Sequence, residues 1–224
     1  MPRAAAGAPA RFAGFPAEGF ELYEALAGNN TRAWWGERKA DYQRHVREPM
    51  EALLGELAEE FGGWRMFRPY RDTRFSKDKE PIKDHQGGVV DVEDAMGYYV
   101  QVSASGLMVG GGWYDAQGVQ LARFRESVAG PAGAELAAML PGLRRRFTVD
   151  GRQMKTRPRG YDEAHPRIDL LRYRGLVATR TYAPGPSLGT RACLSKVRAD
   201  WRALRPAIEW LADFVGPAFD PSAE

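Results

Sequence analysis

Apolar positions recur at helical spacing near both ends of this chain and give way to extended runs between them. Phe20, Tyr23 and Leu26 fall on one side of residues 18–27, and Gly28-Asn29-Asn30 ends that helix. Thr31 is a good N-cap for the next helix, in which Trp35, Tyr42 and Val46 share a face with Arg38 and Lys39 nearby. Pro49 has no N–H and suits a helix start, so the segment is expected to break near Arg47 and begin again. Met50, Leu53, Leu54, Leu57 and Phe61 then form a stripe that Gly62-Gly63 closes. Near the other end, Leu194, Val197, Trp201 and Leu204 mark a long helix. Pro206 is expected to start a last one that turns Ile208, Leu211 and Phe214 inward.

Between these helices, residues 64–76 read as extended, and residues 98–103 and 107–114 as two strands joined around Ala104-Ser105-Gly106. Gly110-Gly111-Gly112 weakens the second strand. The glycines either admit a ligand to the sheet or let a helix over residues 121–129 pack closely. That helix, with Leu121, Phe124 and Val128, is expected to start at Asp115 or Gln117. Another spans residues 134–145, with Pro141 disturbing it. Residues 147–151 read as a strand running into a turn, 167–173 as a helical turn or two closed by Gly175, and 176–182 as a strand. This order does not alternate as βαβ units do. The expected fold is α+β, a mainly antiparallel sheet with helices at both ends of the chain packed on it. Residues 1–11 are expected to form a flexible leader, and residues 12–220 a single domain.

The 224 residues are 44% hydrophobic and 27% charged, ordinary globular composition without a run long enough to cross a bilayer. The first ten residues lack the apolar stretch of a secretory signal. One cysteine, Cys193, sits between apolar helical neighbours and reads as a buried structural thiol, and a cytoplasmic location is expected. The net charge of +3 is uneven. Residues 65–83 hold seven basic and three acidic side chains, and residues 144–174 ten basic and four acidic. Two basic blocks on an acidic background favour an anionic small molecule as partner. Nucleic acid is the alternative, no membrane partner is expected, and the oligomeric state is not specified.

The first chemistry-bearing stretch runs from Arg68 to Lys79. If it is extended, Arg68, Asp72, Arg74 and Ser76 point one way and Phe67, Arg71 and Phe75 the other. Asp72 can then orient a neighbouring guanidinium, and a held guanidinium loses less entropy on gripping an oxyanion. Lys77, Lys79 and Lys83 add charge, and Asp78 and Phe75 support the loop. The plainer reading is that Asp72 neutralises Arg71 or Arg74 at a sheet edge. The second stretch, residues 155–166, is a loop by its Pro158 and Gly160, and it carries Lys155, Arg157, Arg159, Tyr161 and His165. His165 either shuttles protons or fixes the loop together with Tyr161.

Arg68, Arg71, Asp72, Arg74, Phe75, Asp78, Lys79 and Pro81 match the Arg-x-x-Arg-Asp-x-Arg-Phe and Asp-Lys-x-Pro pattern of a mainly bacterial family called domain of unknown function 2461, which this chain resembles. The likeness continues through Gly14-Phe15-Pro16, Asn30, Trp34-Trp35, residues 97–101, residues 158–162, His165-Pro166 and Leu204-Arg205-Pro206. Ile82 stands where that pattern has Tyr. The family name carries no activity, so the resemblance implies extent and residues rather than a reaction.

No spacing of His45, His85 and His165 makes a metal site, and neither a phosphate-loop nor a serine-nucleophile motif occurs; no metal and no cofactor is expected. Three functions remain open. One is binding of a phosphate- or carboxylate-bearing ligand by Arg68, Arg71, Arg74, Lys77, Lys79, Lys155, Arg157 and Arg159 around one cleft. Another is an enzyme acting on an anionic, phosphorylated substrate, with Asp72 or His165 handling the proton. The last is nucleic-acid binding through the basic blocks.

Overall fold

The computed structural model describes residues 11–74, 77–114, 116 and 118–218. Phe75 and Ser76 of the arginine-rich stretch, the expected helix starts Asp115 and Gln117, and residues 1–10 of the expected leader lie outside the described residues. In chain order the elements are α1 (Ala17–Ala27), α2 (Arg32–Glu37), α3 (Lys39–Tyr42), a π-helical turn (Gln43–Arg47), α4 (Glu48–Phe61), β1 (Trp64–Met66), β2 (His85–Glu93), β3 (Met96–Ser103) and β4 (Gly106–Trp113). They continue with α5 (Gly118–Ala129), α6 (Ala132–Arg144), β5 (Thr148–Asp150), α7 (Ile168–Leu171), β6 (Leu176–Tyr182) and α8 (Ala192–Phe214). The fold is α+β. Its six-stranded antiparallel sheet has the order β1-β2-β3-β4-β6-β5, with helices before and after it in the chain. Among the described residues no helix is long and apolar enough to cross a membrane.

The chain groups into two compact units. The first comprises Met1–Val90, Val100–Met108 and Thr181–Arg198, the second Asp91–Tyr99, Val109–Arg180 and Ala199–Glu224. In the first unit, Thr31 caps α2 by accepting a hydrogen bond from the Trp34 N–H at 3.2 Å. The chain does not break near Arg47. It passes through one wider turn in which the Glu48 N–H reaches back to the Gln43 carbonyl. A wider turn accommodates Pro49, whose ring cannot donate to the ladder and would crowd the preceding carbonyl in a regular α-helix. Val46, Met50, Leu53, Leu54 and Leu57 are wholly buried on one face. Strand β2 adds to the strands that spacing predicts. A side chain at Gly88 would collide with the Leu54 side chain, so its glycine serves the close approach of α4.

In the second unit the three glycines of β4 serve contacts other than α5. A Cβ at Gly110 would meet the Ala178 carbonyl oxygen at 2.7 Å, one at Gly111 the Ile208 side chain at 2.8 Å, and one at Gly112 (φ +136°) would overlap the Leu176 carbonyl oxygen. The neighbouring strand and α8 occupy the space that a ligand was one candidate to fill. Pro206 does not begin a helix either. It lies inside α8, which runs unbroken from Ala192 to Phe214. An interior proline costs about 3 kcal/mol. Leu194, Val197, Trp201, Leu204, Ile208 and Leu211 are all buried along that helix. At about 1.5–3 kcal/mol for each such side chain, their burial outweighs the proline. Phe214 differs from expectation in being 37% exposed, its ring centre 5.1 Å from that of Trp210.

Candidate functional site

Residues 67–74 and 77–84 of the first unit form two limbs pinned at several points. The first limb is tied by Gln86, which accepts from the Tyr42 hydroxyl at 2.6 Å and donates to the Phe67 carbonyl at 2.7 Å. The two limbs are joined by an isolated antiparallel bridge, Tyr70 with Ile82, flanked by bonds from Arg71 N–H to the Pro81 carbonyl (2.9 Å) and from Lys83 N–H to the Pro69 carbonyl (2.8 Å). The regular alternation expected over residues 64–76 therefore stops at Met66. Pro69 and Pro81 supply carbonyls but no N–H, so a ladder cannot propagate through them. Asn30 closes the last limb by pairing with both backbone groups of buried Ile82, at 3.1 and 3.0 Å, and donating to Glu80 at 3.2 Å.

The charged side chains on this frame divide into two sets. Arg71 is three-quarters covered and lies against Asp78, against Glu80 at 3.8 Å and against Asp84 at 3.2 Å. Asp72 grips Arg74 through two guanidinium bonds of 3.0 and 2.7 Å and also accepts the Arg74 N–H at 3.2 Å. That grip holds the Asp72 carboxyl below the usual carboxylate range. Asp72 thus orients Arg74, while Arg71 is claimed by other carboxylates. Lys79 donates to the Thr73 carbonyl at 3.1 Å. Arg68 and Lys77 are exposed and carry no ion pair among the described residues. Burial, followed by the nearby charges of Arg68 and Arg71, lowers the affinity of Lys83 for its proton, and its ammonium lies 5.3 Å from the Phe67 ring centre. Burial is the larger cause, and the two guanidinium charges add to it.

The arginines of this loop, the Asn30 clamp and the Trp34-Trp35 pair all fall within one matched region. Residues 18–210 match the family model described as conserved hypothetical protein (DUF2461). The chain belongs to the DUF2461 family. No curated protein and no solved structure matches it.

The second basic stretch of this DUF2461 chain lies wholly in the second unit. Arg157 donates to the Tyr161 carbonyl at 2.7 Å, and Asp162 accepts from the Ala164 N–H at 2.9 Å. His165 Nδ1 accepts from the Arg167 N–H at 3.0 Å, so this ring nitrogen helps to fix the loop. Lys155 and Arg159 are exposed and carry no ion pair among the described residues. Arg167, which the sequence did not single out for a role, donates to the carbonyls of Val128 (2.6 Å), Ala129 (2.9 Å) and Gly130 (3.0 Å), capping the end of α5. Cys193 is fully buried and its thiol is pushed up to about 12 by that burial, which suits a structural residue.

Sequence reasoning also passed over a cleft in the first unit. Arg32, Trp35, Gly36, Lys39 and Tyr70 line a volume of about 380 Å3. Tyr70 belongs to the arginine-rich loop and the others to α2 and α3. Arg32 carries no motif; only the spacing of the cations around Trp35 would have drawn attention to it.

Proposed function

We propose that this DUF2461 chain binds a small phosphate- or carboxylate-bearing molecule through the cations of residues 68–79 in the first unit. One observation carries the reading. Residues 67–74 and 77–84 are held by backbone pairing, Asn30 and Gln86, while Arg68 and Lys77 remain exposed and without ion pairs among the described residues. A receptor whose frame is already fixed spends little further entropy on its ligand. In this proposal Arg68, Arg74, Lys77 and Lys79 meet the anion, Asp72 presents Arg74, and Arg71 with Asp78 keeps the loop in shape. Lys155, Arg157 and Arg159 form a second candidate anion-binding stretch within the second unit, with Tyr161 bracing their loop. A buried lone cysteine fits the reducing cytoplasm as its compartment.

Binding is favoured over catalysis by two observations. Asp72 has lost proton affinity to its Arg74 contacts, which makes it a weaker base. The His165 Nδ1 is already engaged by a backbone N–H.

Calorimetric titration with inorganic phosphate and with citrate tests the proposal. Binding is expected for the wild type, with at least about a tenfold loss in Arg68→Glu and in Lys77→Glu and a clear weakening with added salt. A wild type that binds neither anion sinks the reading. Arg159→Gln, titrated alone, reports on the second stretch: an unchanged phosphate affinity means that this stretch contributes no binding. Retention of short duplex DNA at low salt, with no phosphate binding, would favour the nucleic-acid alternative instead.

A further inference from the structure

The cleft beside the arginine-rich loop has the makings of a site for more than a simple ion. Its volume of about 380 Å3 far exceeds the roughly 30 Å3 that one water occupies in the liquid, so it has room for an organic molecule. Two of its walls are aromatic. Trp35 is 2% exposed and fixed in place by the Tyr42 ring, whose centre lies 4.9 Å away. Tyr70 is 39% exposed, and its backbone is held by the bridge to Ile82. The same cleft is lined by Arg32 and Lys39, both exposed and neither ion-paired among the described residues. No carboxylate is among the residues lining the cleft. A cleft lined by two unpaired cations, an exposed phenol and an indole suits a ligand that is flat at one end and anionic at the other.

We infer that this cleft takes the body of a small organic anion carrying a planar ring, the ring against Tyr70 and Trp35 and its phosphate or carboxylate at Arg32 and Lys39. The cleft is a second anion seat, served by Arg32 and Lys39, and goes beyond the reading given for the loop cations. Gly36 lines the cleft, a Cβ there would meet nothing within 4 Å, and its φ lies outside the left-handed region. A large side chain at position 36 is therefore tolerated by the backbone and is expected to crowd the cleft.

The experiment compares phenyl phosphate, glycerol phosphate and inorganic phosphate by calorimetry on the wild type, on Gly36→Phe and on Tyr70→Ala, with thermal unfolding run on each as a folding control. Phenyl phosphate is expected to bind the wild type about tenfold more tightly than the other two. Gly36→Phe and Tyr70→Ala are each expected to abolish that advantage, while inorganic phosphate held by the loop cations Arg68 and Lys77 stays within about twofold. Equal binding of all three by the wild type overturns the inference and leaves the anion reading standing. So does a ring preference that survives in both folded variants. Failure of the wild type to bind any of the three overturns both.

Discussion

The two basic stretches look alike in sequence, each rich in arginine and broken by proline, yet they use their guanidinium groups in opposite ways. In residues 67–74 and 77–84 the most covered guanidinium, Arg71, lies among Asp78, Glu80 and Asp84, and Arg74 is locked to Asp72. In residues 151–167 the arginines Arg157 and Arg167 bond instead to backbone carbonyls. A carboxylate cancels the cation that it holds; a carbonyl orients the cation and leaves its charge in place. Arginine content alone therefore says little about the charge that a loop presents. In the first loop Arg68 and Lys77 keep their full charge and Arg74 trades part of its own for orientation by Asp72, while in the second the charge survives alongside a structural duty.

The sharpest way to break this comparison is to remove Arg167. Its three acceptors are the last carbonyls of α5 and the turn after it, and Val128 is fully buried. Arg167→Met keeps the aliphatic stem but strands those carbonyls. We expect a loss of about 2–4 kcal/mol in urea denaturation, largely insensitive to salt because the acceptors are neutral. A loss below about 0.5 kcal/mol would mean that water replaces the guanidinium without penalty, and the structural half of the contrast would be gone.

Arg71→Leu is the matching change in the first loop. It leaves Asp78, Glu80 and Asp84 facing one another without their shared cation. These carboxylates are largely exposed, so solvent screens their repulsion, and the expected cost is smaller, about 1–2 kcal/mol, and reduced by added salt. Acid gives a second view of the same cluster. Burial alone would raise the Asp84 pKa, but the His85 contact and the Arg71 charge outweigh it and leave Asp84 lowered from its usual 3.8. A depressed carboxylate stabilises the fold above its unfolded value, and that contribution is lost as the pH falls through the folded one. Hydrogen exchange at the Arg71 and Lys83 amides, which close the loop at 2.9 and 2.8 Å, should therefore quicken relative to α4 below about pH 4. Exchange in step with α4 throughout would show that the cluster does not hold the loop.

Local signals make much of this frame legible, and tertiary ones hide the rest. The Thr31 cap, the hairpin at Ala104-Ser105 and the stripe of α4 follow from residue type and spacing, and each stands where it is expected. Strand β2 escapes a reading by spacing because Gly87 and Gly88 weaken any strand signal, and the reason for Gly88 is the Leu54 side chain on a distant helix. Pro206 obeys its local rule only until the buried stripe of α8 overrides it. At the site, the Arg-Asp-x-Arg run announces a held guanidinium. Which carboxylate holds which arginine depends on the turn back through Pro81, and spacing alone cannot report that.

The smallest expected effect is the most discriminating within the first loop. Lys83 is disfavoured as a cation by burial and then by Arg68 and Arg71, so its folded pKa is below the usual 10.5. For a lysine lowered in this way the folded state binds fewer protons than the unfolded chain between the two values. The strain is therefore fully present below the folded pKa and disappears as the pH rises past 10.5. Lys83→Met removes the charge, keeps the length and can still pack on Phe67. It should stabilise the protein slightly at pH 7, and the gain should shrink toward pH 10.5. The same variant should bind inorganic phosphate several-fold more weakly, because the crowded positive charge that the fold tolerates is what an anion relieves. Urea midpoints at the two pH values, with phosphate titrations at pH 7, measure both sides. A variant that is stabler yet binds phosphate as well as the wild type would show that the potential around Lys83 does not serve the ligand, leaving Arg68 and Lys77 to account for binding without it.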